Sequence, residues 1–122
     1  MKVQCITDKE FLEKESSYNV YAIMIWKNRL KYLLLEETKS PFWHFSYEFE
    51  IIDNLLPIEW YFDFKGCKED PLEAIWGYKE IVLDNNHRSD LLDRVPKAIA
   101  IFEKRKREID DYETARIISK RK

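Results

Sequence analysis

Between residues 45 and 64 the chain alternates twice between apolar and polar positions. Phe45, Tyr47, Phe49 and Ile51 interleave with Ser46, Glu48 and Glu50, and Ile58, Trp60, Phe62 and Phe64 interleave with Glu59, Tyr61 and Asp63. A strict period of two predicts two half-buried strands. Asp53 and Asn54 supply a turn between them, and Pro57, lacking an N–H, belongs at a strand entrance. On this pattern the aromatic row, with Trp60, Phe62 and Phe64, points into the core. Glu48 and Glu50 then oppose Glu59 and Asp63 across a hairpin, with Tyr61 between the last two.

Upstream, MKVQCI sets Val3 and Cys5 against Gln4 and predicts a first strand. TDKEFLEKESS has the Thr7–Glu10 spacing of a capping box and predicts a short helical turn or a loop. Tyr18–Trp26 is rich in aromatic and β-branched residues on both faces, as a central strand is. The polar triplet KNR joins it to Leu30–Glu37 as a hairpin, and TKSP is the next turn. Downstream, Asp70, Pro71 and Glu73 occupy cap, first-turn and third positions of a short helix that Gly77 stops. YKEIVL then reads as a last strand and DNNHRSD as a loop. From Ser89 the period becomes helical, with Leu91, Leu92, Val95, Ala98, Ile99, Phe102, Ile109 and Tyr112 in one stripe. The main helix is expected to start with Pro96 at its first position. Lys106 interrupts the stripe, so the distal helix is expected to protrude from the body.

Strands followed by a long helix define an α+β fold: a strongly bent antiparallel sheet or small SH3-like barrel of five to six strands, then a long C-terminal helix. The 122 residues form one domain, with 1–88 mainly β and 89–122 mainly helical. Hydrophobic residues make up 45% and charged residues 36%, which fits an ordered, soluble globule. No apolar run is long enough for a membrane span, and the N-terminus has no signal-peptide apolar region, so a cytoplasmic location is expected. Cys5 and Cys67 belong to no CxxC motif; two buried free thiols are the plainer reading, with a disulfide left open.

Charge divides the chain. Residues 1–88 hold 11 Lys/Arg against 16 Asp/Glu, a net of −5, whereas residues 89–122 hold 10 against 7, a net of +3. An acidic body suits a basic protein partner more than nucleic acid. With Gly66 and Gly77 the only glycines, a phosphate-cradling loop, a dinucleotide fingerprint and a GxSxG elbow are all absent. His44 in PFWHF reads as a packing residue at a strand entry, and His87 in NNHRSD as a solvated loop residue; general-base roles are the alternative for each. Two histidines and two scattered cysteines have no zinc spacing, and no cofactor or metal is expected.

Glu48, Glu50, Glu59 and Asp63 admit three readings: a solvated outer sheet face, a divalent-metal or acid–base cluster, or a protein-binding face with Tyr61 as its aromatic anchor. Lys104, Arg105, Lys106 and Arg107 circle the helix rather than form a stripe, and Lys120–Lys122 add a basic end. They read as a solvated face, with nucleic-acid or self-association contact as alternatives.

MKVQCI through the hairpin to EFEIID resembles small SH3-like barrel proteins of bacteria. LPIEWYFDF, IWGYKEIV and AIAIFEKRK resemble small bacterial proteins found among the immunity proteins of polymorphic toxin systems. The resemblance implies a cytoplasmic protein that binds and neutralises a cognate toxin without catalysis. The long basic helix lies outside the barrel pattern, and no functional residue carries over by motif. The residues expected to meet a basic toxin domain are therefore Glu48, Glu50, Glu59, Tyr61 and Asp63. A nucleic-acid or ribonucleoprotein accessory module using Lys104–Arg107 is the first alternative, and a small hydrolase using His44 or His87 the second.

Overall fold

A computed structural model of the chain describes residues 1–66 and 71–120, the side chains of 117–120 excepted. Among the described residues, eight strands form two antiparallel sheets. In the three-stranded sheet, β1 (Lys2–Cys5) lies between β2 (Ser17–Asn19) and β6 (Phe49–Asp53). The five-stranded sheet is built from β3 (Ala22–Trp26), β4 (Arg29–Leu35), β5 (Pro41–Phe45), β7 (Tyr61–Phe64) and β8 (Leu72–Gly77). Its order is β5-β4-β3-β8-β7. Helices α1 (Lys79–Leu83), α2 (Asn85–Leu92) and α3 (Pro96–Lys120) complete the chain. The α+β class and the long C-terminal helix match expectation, whereas eight strands in two sheets stand in place of the single five- to six-stranded sheet expected, and they do not close into a barrel.

The five-stranded sheet is the middle layer because its strands are apolar on both faces. Ile23, Tyr32 and Leu34 pack with Val3, Cys5, Val20 and Phe49 toward the three-stranded sheet. Ala22, Leu33 and Ile75 pack with Ile81, Ala98, Phe102 and Ile109 toward the helices. The β3–β4 hairpin forms as expected. Trp26 faces Arg29, and Lys27 and Asn28 both take positive φ (50° and 64°), the backbone of a type I′ turn.

Four expectations are corrected. Tyr18–Trp26 is two strands in different sheets: the chain crosses between layers at Val20 and Tyr21, both buried. The alternation beginning at Phe45 is likewise cut, by a 3-10 turn at Ser46–Glu48 that carries the chain from β5 to β6. Leu72–Gly77 is a strand, not a helix, because β3 and β7 pair with it on either side and override the local capping signal. Asp70 of that signal lies outside the described residues. Lys79–Leu83, expected as a strand, is helix α1, so the helical part begins ahead of residue 89. A Cβ on Gly77 would sit 2.8 Å from both Ala22 Cβ and Ile81 Cγ2, so only glycine lets α1 fold down onto the sheet there.

α3 starts at Pro96, as expected. Leu92 is exposed and outside the stripe. The distal helix does not protrude: buried Ile109 carries the apolar contact past Lys106, and polar groups dock the turns beyond it. Asp110 accepts from Asn19 Nδ2 and Tyr21 Oη, each at 2.8 Å. Glu113, 1% exposed, accepts from the Met1 amino group at 2.5 Å and from Arg116 Nη2 at 2.5 Å. Arg116 also pairs with Asp53 of β6 at 2.7 Å. Lys106, the residue that breaks the stripe, pairs with Asp110 at 2.8 Å.

Removing one member of a buried ionic cluster leaves the others uncompensated. Arg116→Ala is expected to cost about 3 kcal/mol, read as a lower urea midpoint with an unchanged slope. An unchanged midpoint would show that the cluster does not hold the helix.

Candidate functional site

Exposed large apolar side chains concentrate in one segment. Among the described residues, Ile51, Ile52, Leu55, Leu56, Ile58, Tyr61, Phe62 and Phe64 are all exposed, within residues 51–64. Ile58 is 81% exposed, Phe62 54% and Phe64 64%. This corrects the expected inward aromatic row. β7 is the last strand of its sheet, beyond the cluster buried under the three-stranded sheet. Phe62 packs on Trp76 with ring centroids 4.9 Å apart, and Trp60 sits half-buried at the margin of that cluster.

The hairpin expected to join the carboxylates is also absent, since β6 pairs with β1 and β7 with β8. Glu48 lies in the 3-10 turn, where Lys9 Nζ donates to its carboxylate. Glu50 is exposed on β6 opposite Gln4. Asp63 pairs with Lys65 at 2.7 Å, and this hydrogen bond holds its carboxyl below the usual range.

The remaining two predicted residues, Glu59 and Tyr61, line an open groove of about 620 Å³. One wall is the segment Pro57–Tyr61; the other is Tyr78 and Lys79 at the start of α1 with Arg105, Glu108, Ile109 and Tyr112 of α3. Trp60 Nε1 is buried with no hydrogen-bond partner among the described residues. Arg105 is fixed by Glu80 through Nε at 2.7 Å and Nη2 at 2.8 Å, and by Glu108 at 3.0 Å. These bonds push the Arg105 guanidinium up and hold the Glu80 carboxyl down. The groove thus gathers two residues of the acidic–aromatic set and one of the basic run. Of that run, Arg105 and Lys106 are engaged within the chain, while Lys104 and Arg107 are exposed.

Both histidines are buried. His44, on β5, faces Phe42 and Phe49 as the packing residue expected. Its Nε2 lies 3.1 Å from Glu36 Oε2 but out of line for a hydrogen bond. His87 is not the solvated loop residue expected: it is 3% exposed in α2, with Nε2 2.6 Å from Tyr78 Oη. The signal missed was Asp84, whose carboxylate caps α2 by accepting from the N–H groups of Asn86 and His87. His87 lines a second cavity of about 200 Å³ with Asp84, Asp90 and Lys97. Neither histidine lines the groove, although Tyr78 joins its wall to His87.

Among the described residues no group of three His, Cys, Asp or Glu is placed to hold a metal ion, and no helix is long and apolar enough to cross a membrane. Cys5 is a buried free thiol 3.1 Å from Thr7 O, and Cys67 lies outside the described residues. No protein-family model, curated protein or solved structure matches the chain.

Burial pulls His44 down to about 4 and His87 below its ordinary value. Each ring is neutral in the fold and charges more readily unfolded. Their contribution is present above about pH 6.5 and is lost as pH falls toward 4. Glu36, raised by burial, has the opposite sign and makes the fall shallower. Urea unfolding at about pH 5 should show up to about 2 kcal/mol less stability from His44 than at about pH 7, and His44→Leu should flatten that slope. Equal wild-type stability at the two pH values would contradict this assignment.

Proposed function

We propose that the chain is a non-catalytic protein-binding protein of the immunity type, which captures a basic toxin domain on the groove and the adjoining segment 51–64. The carrying observation is the concentration of exposed apolar side chains beside a groove edged by Glu59 and Tyr61. A patch of this kind with a polar rim is the surface that protein partners bury. Tyr61 and Tyr112 offer ring faces to a cationic side chain. Arg105 opposes a basic partner little, because Glu80 and Glu108 already compensate it. Glu50, Glu59 and Asp63 add negative charge along the same stretch, which favours encounter with a basic surface. Glu48 and Asp63, engaged by Lys9 and Lys65, contribute less than Glu50 and Glu59. The nucleic-acid reading loses support because only Lys104 and Arg107 of its four cations are exposed.

The test is calorimetric titration with the toxin domain encoded beside this chain. Nanomolar binding is expected, and Tyr61→Ala and Ile58→Asp should each weaken it by roughly 30-fold or more while leaving the thermal midpoint unchanged. Absence of binding, or both variants binding like wild type, would refute the proposal. Salt-sensitive RNA binding abolished by joint neutralisation of Lys104 and Arg107 would favour the alternative.

A further inference from the structure

The outer side of β7 is an open sheet edge. Lys65 N–H donates to Glu73 O at 2.7 Å, continuing the antiparallel register in which Tyr61 faces Gly77 and Asp63 faces Ile75. The odd-numbered residues therefore turn their backbone groups toward β8, and those of Phe62 and Phe64 point away from it. No backbone partner for these outward groups occurs among the described residues. Tyr61–Phe64 has no proline and no bulge, and its one charged side chain, Asp63, is already paired with Lys65.

We propose that β7 pairs antiparallel with β7 of a second copy of this chain, about a two-fold axis through Phe62, joining the two five-stranded sheets edge to edge. The strand is self-complementary in this register. Within Tyr61–Phe64, Phe62 meets Phe62 and Tyr61 meets Asp63, so an aromatic pair forms on one face and hydroxyl–carboxylate pairs on the other, while Trp60, whose backbone N–H closes a turn onto Pro57 O, lies beyond the paired stretch. The outward N–H and C=O groups of Phe62 on each copy satisfy one another. The neighbouring registers are worse. Centring the axis on Asp63 sets two carboxylates face to face. Centring it on Phe64 requires Gly66 within the strand, but its φ of +75° ends the extended chain. Because Tyr61 lines the groove, the paired register brings Asp63 of the second copy to the groove wall. This self-association shares Tyr61, Phe62 and Phe64 with the surface proposed to meet a toxin, and sedimentation of the chain alone tests it separately.

Sedimentation equilibrium of the full chain, across roughly a hundredfold range of protein concentration, should show the mass rising from 14.9 kDa toward twice that value. Phe62→Lys, at an exposed position, should keep its fold by circular dichroism and weaken association by at least roughly tenfold. Register is read by cross-linking in a Cys67→Ser background. With oxidised glutathione accepting the two electrons, Phe62→Cys should form a disulfide dimer, since opposed Cα atoms in such a pair lie about 5.5 Å apart. Phe64→Cys, displaced from the axis, should not. A 14.9 kDa mass at every concentration, or equal cross-linking at the two positions, would overturn the proposal.

Discussion

The pairing of Leu72–Gly77 with Ala22–Trp26 is the contact on which the rest of the structure depends. It inserts β8 into the sheet between β3 and β7, so the strand that follows the apolar connection 54–60 becomes the last one. Gly77 makes the insertion compatible with α1, because no side chain larger than hydrogen fits between Ala22 and Ile81. From this one placement follow the buried helix-side core around Ile75 and Phe102, the exposed Phe62 and Phe64, and the groove between Pro57–Tyr61 and α3. Were residues 72–77 helical, β3 would lose its neighbour and β7 would have no strand to pair with.

The second organising feature is polar. An aromatic–aliphatic stripe holds the first half of α3 down, ending near Ile109. Beyond it, Asp110, Glu113 and Arg116 tie the helix to Tyr21, Asn19, the Met1 amino group and Asp53. Buried ionic clusters stabilise little in net terms, yet each member is costly to remove once the others are desolvated. This one therefore fixes where α3 lies more than it adds to total stability. That position sets the width of the groove, since Arg105, Glu108, Ile109 and Tyr112 form its α3 wall.

Some of this was legible in the sequence and some was not, for physical reasons. The β3–β4 hairpin and the helix start at Pro96 are decided locally, by turn chemistry and by a proline that fits only the first helical turn. The strand character of Leu72–Gly77 is not local: its residues carry a capping pattern, and only pairing on both sides overrides it. Period two at Ile58–Phe64 announced a strand of which only Tyr61–Phe64 forms, because Trp60 backbone N–H closes a turn onto Pro57 O, and it did not tell which row is covered, because an edge strand at the limit of a layered core covers neither fully. The five predicted contact residues shared a pattern, not a place. Glu59 and Tyr61 meet at the groove, Asp63 lies further along the edge, Glu48 sits in the 3-10 turn between the sheets, and Glu50 lies on β6 of the other sheet. Arg105 and Tyr112 were invisible as groove residues because their sequence context is a charged helix. His87 was hidden because its burial depends on Tyr78 reaching it from the end of β8.

What unites these features is a surface that is apolar where a soluble chain would be polar, presented by an open sheet edge and rimmed with carboxylates. The proposed contact with protein partners draws on β7, and the place of β7 at the sheet edge rests on β8 lying between β3 and β7. The direct measurement is the pattern of nuclear Overhauser contacts across residues 72–77. Cross-strand contacts from Ile75 to both Met24 and Asp63 are the expected result. Helical contacts between residues three apart from Leu72 to Gly77, with none to Met24, would contradict the placement of β8 and with it the exposure of β7.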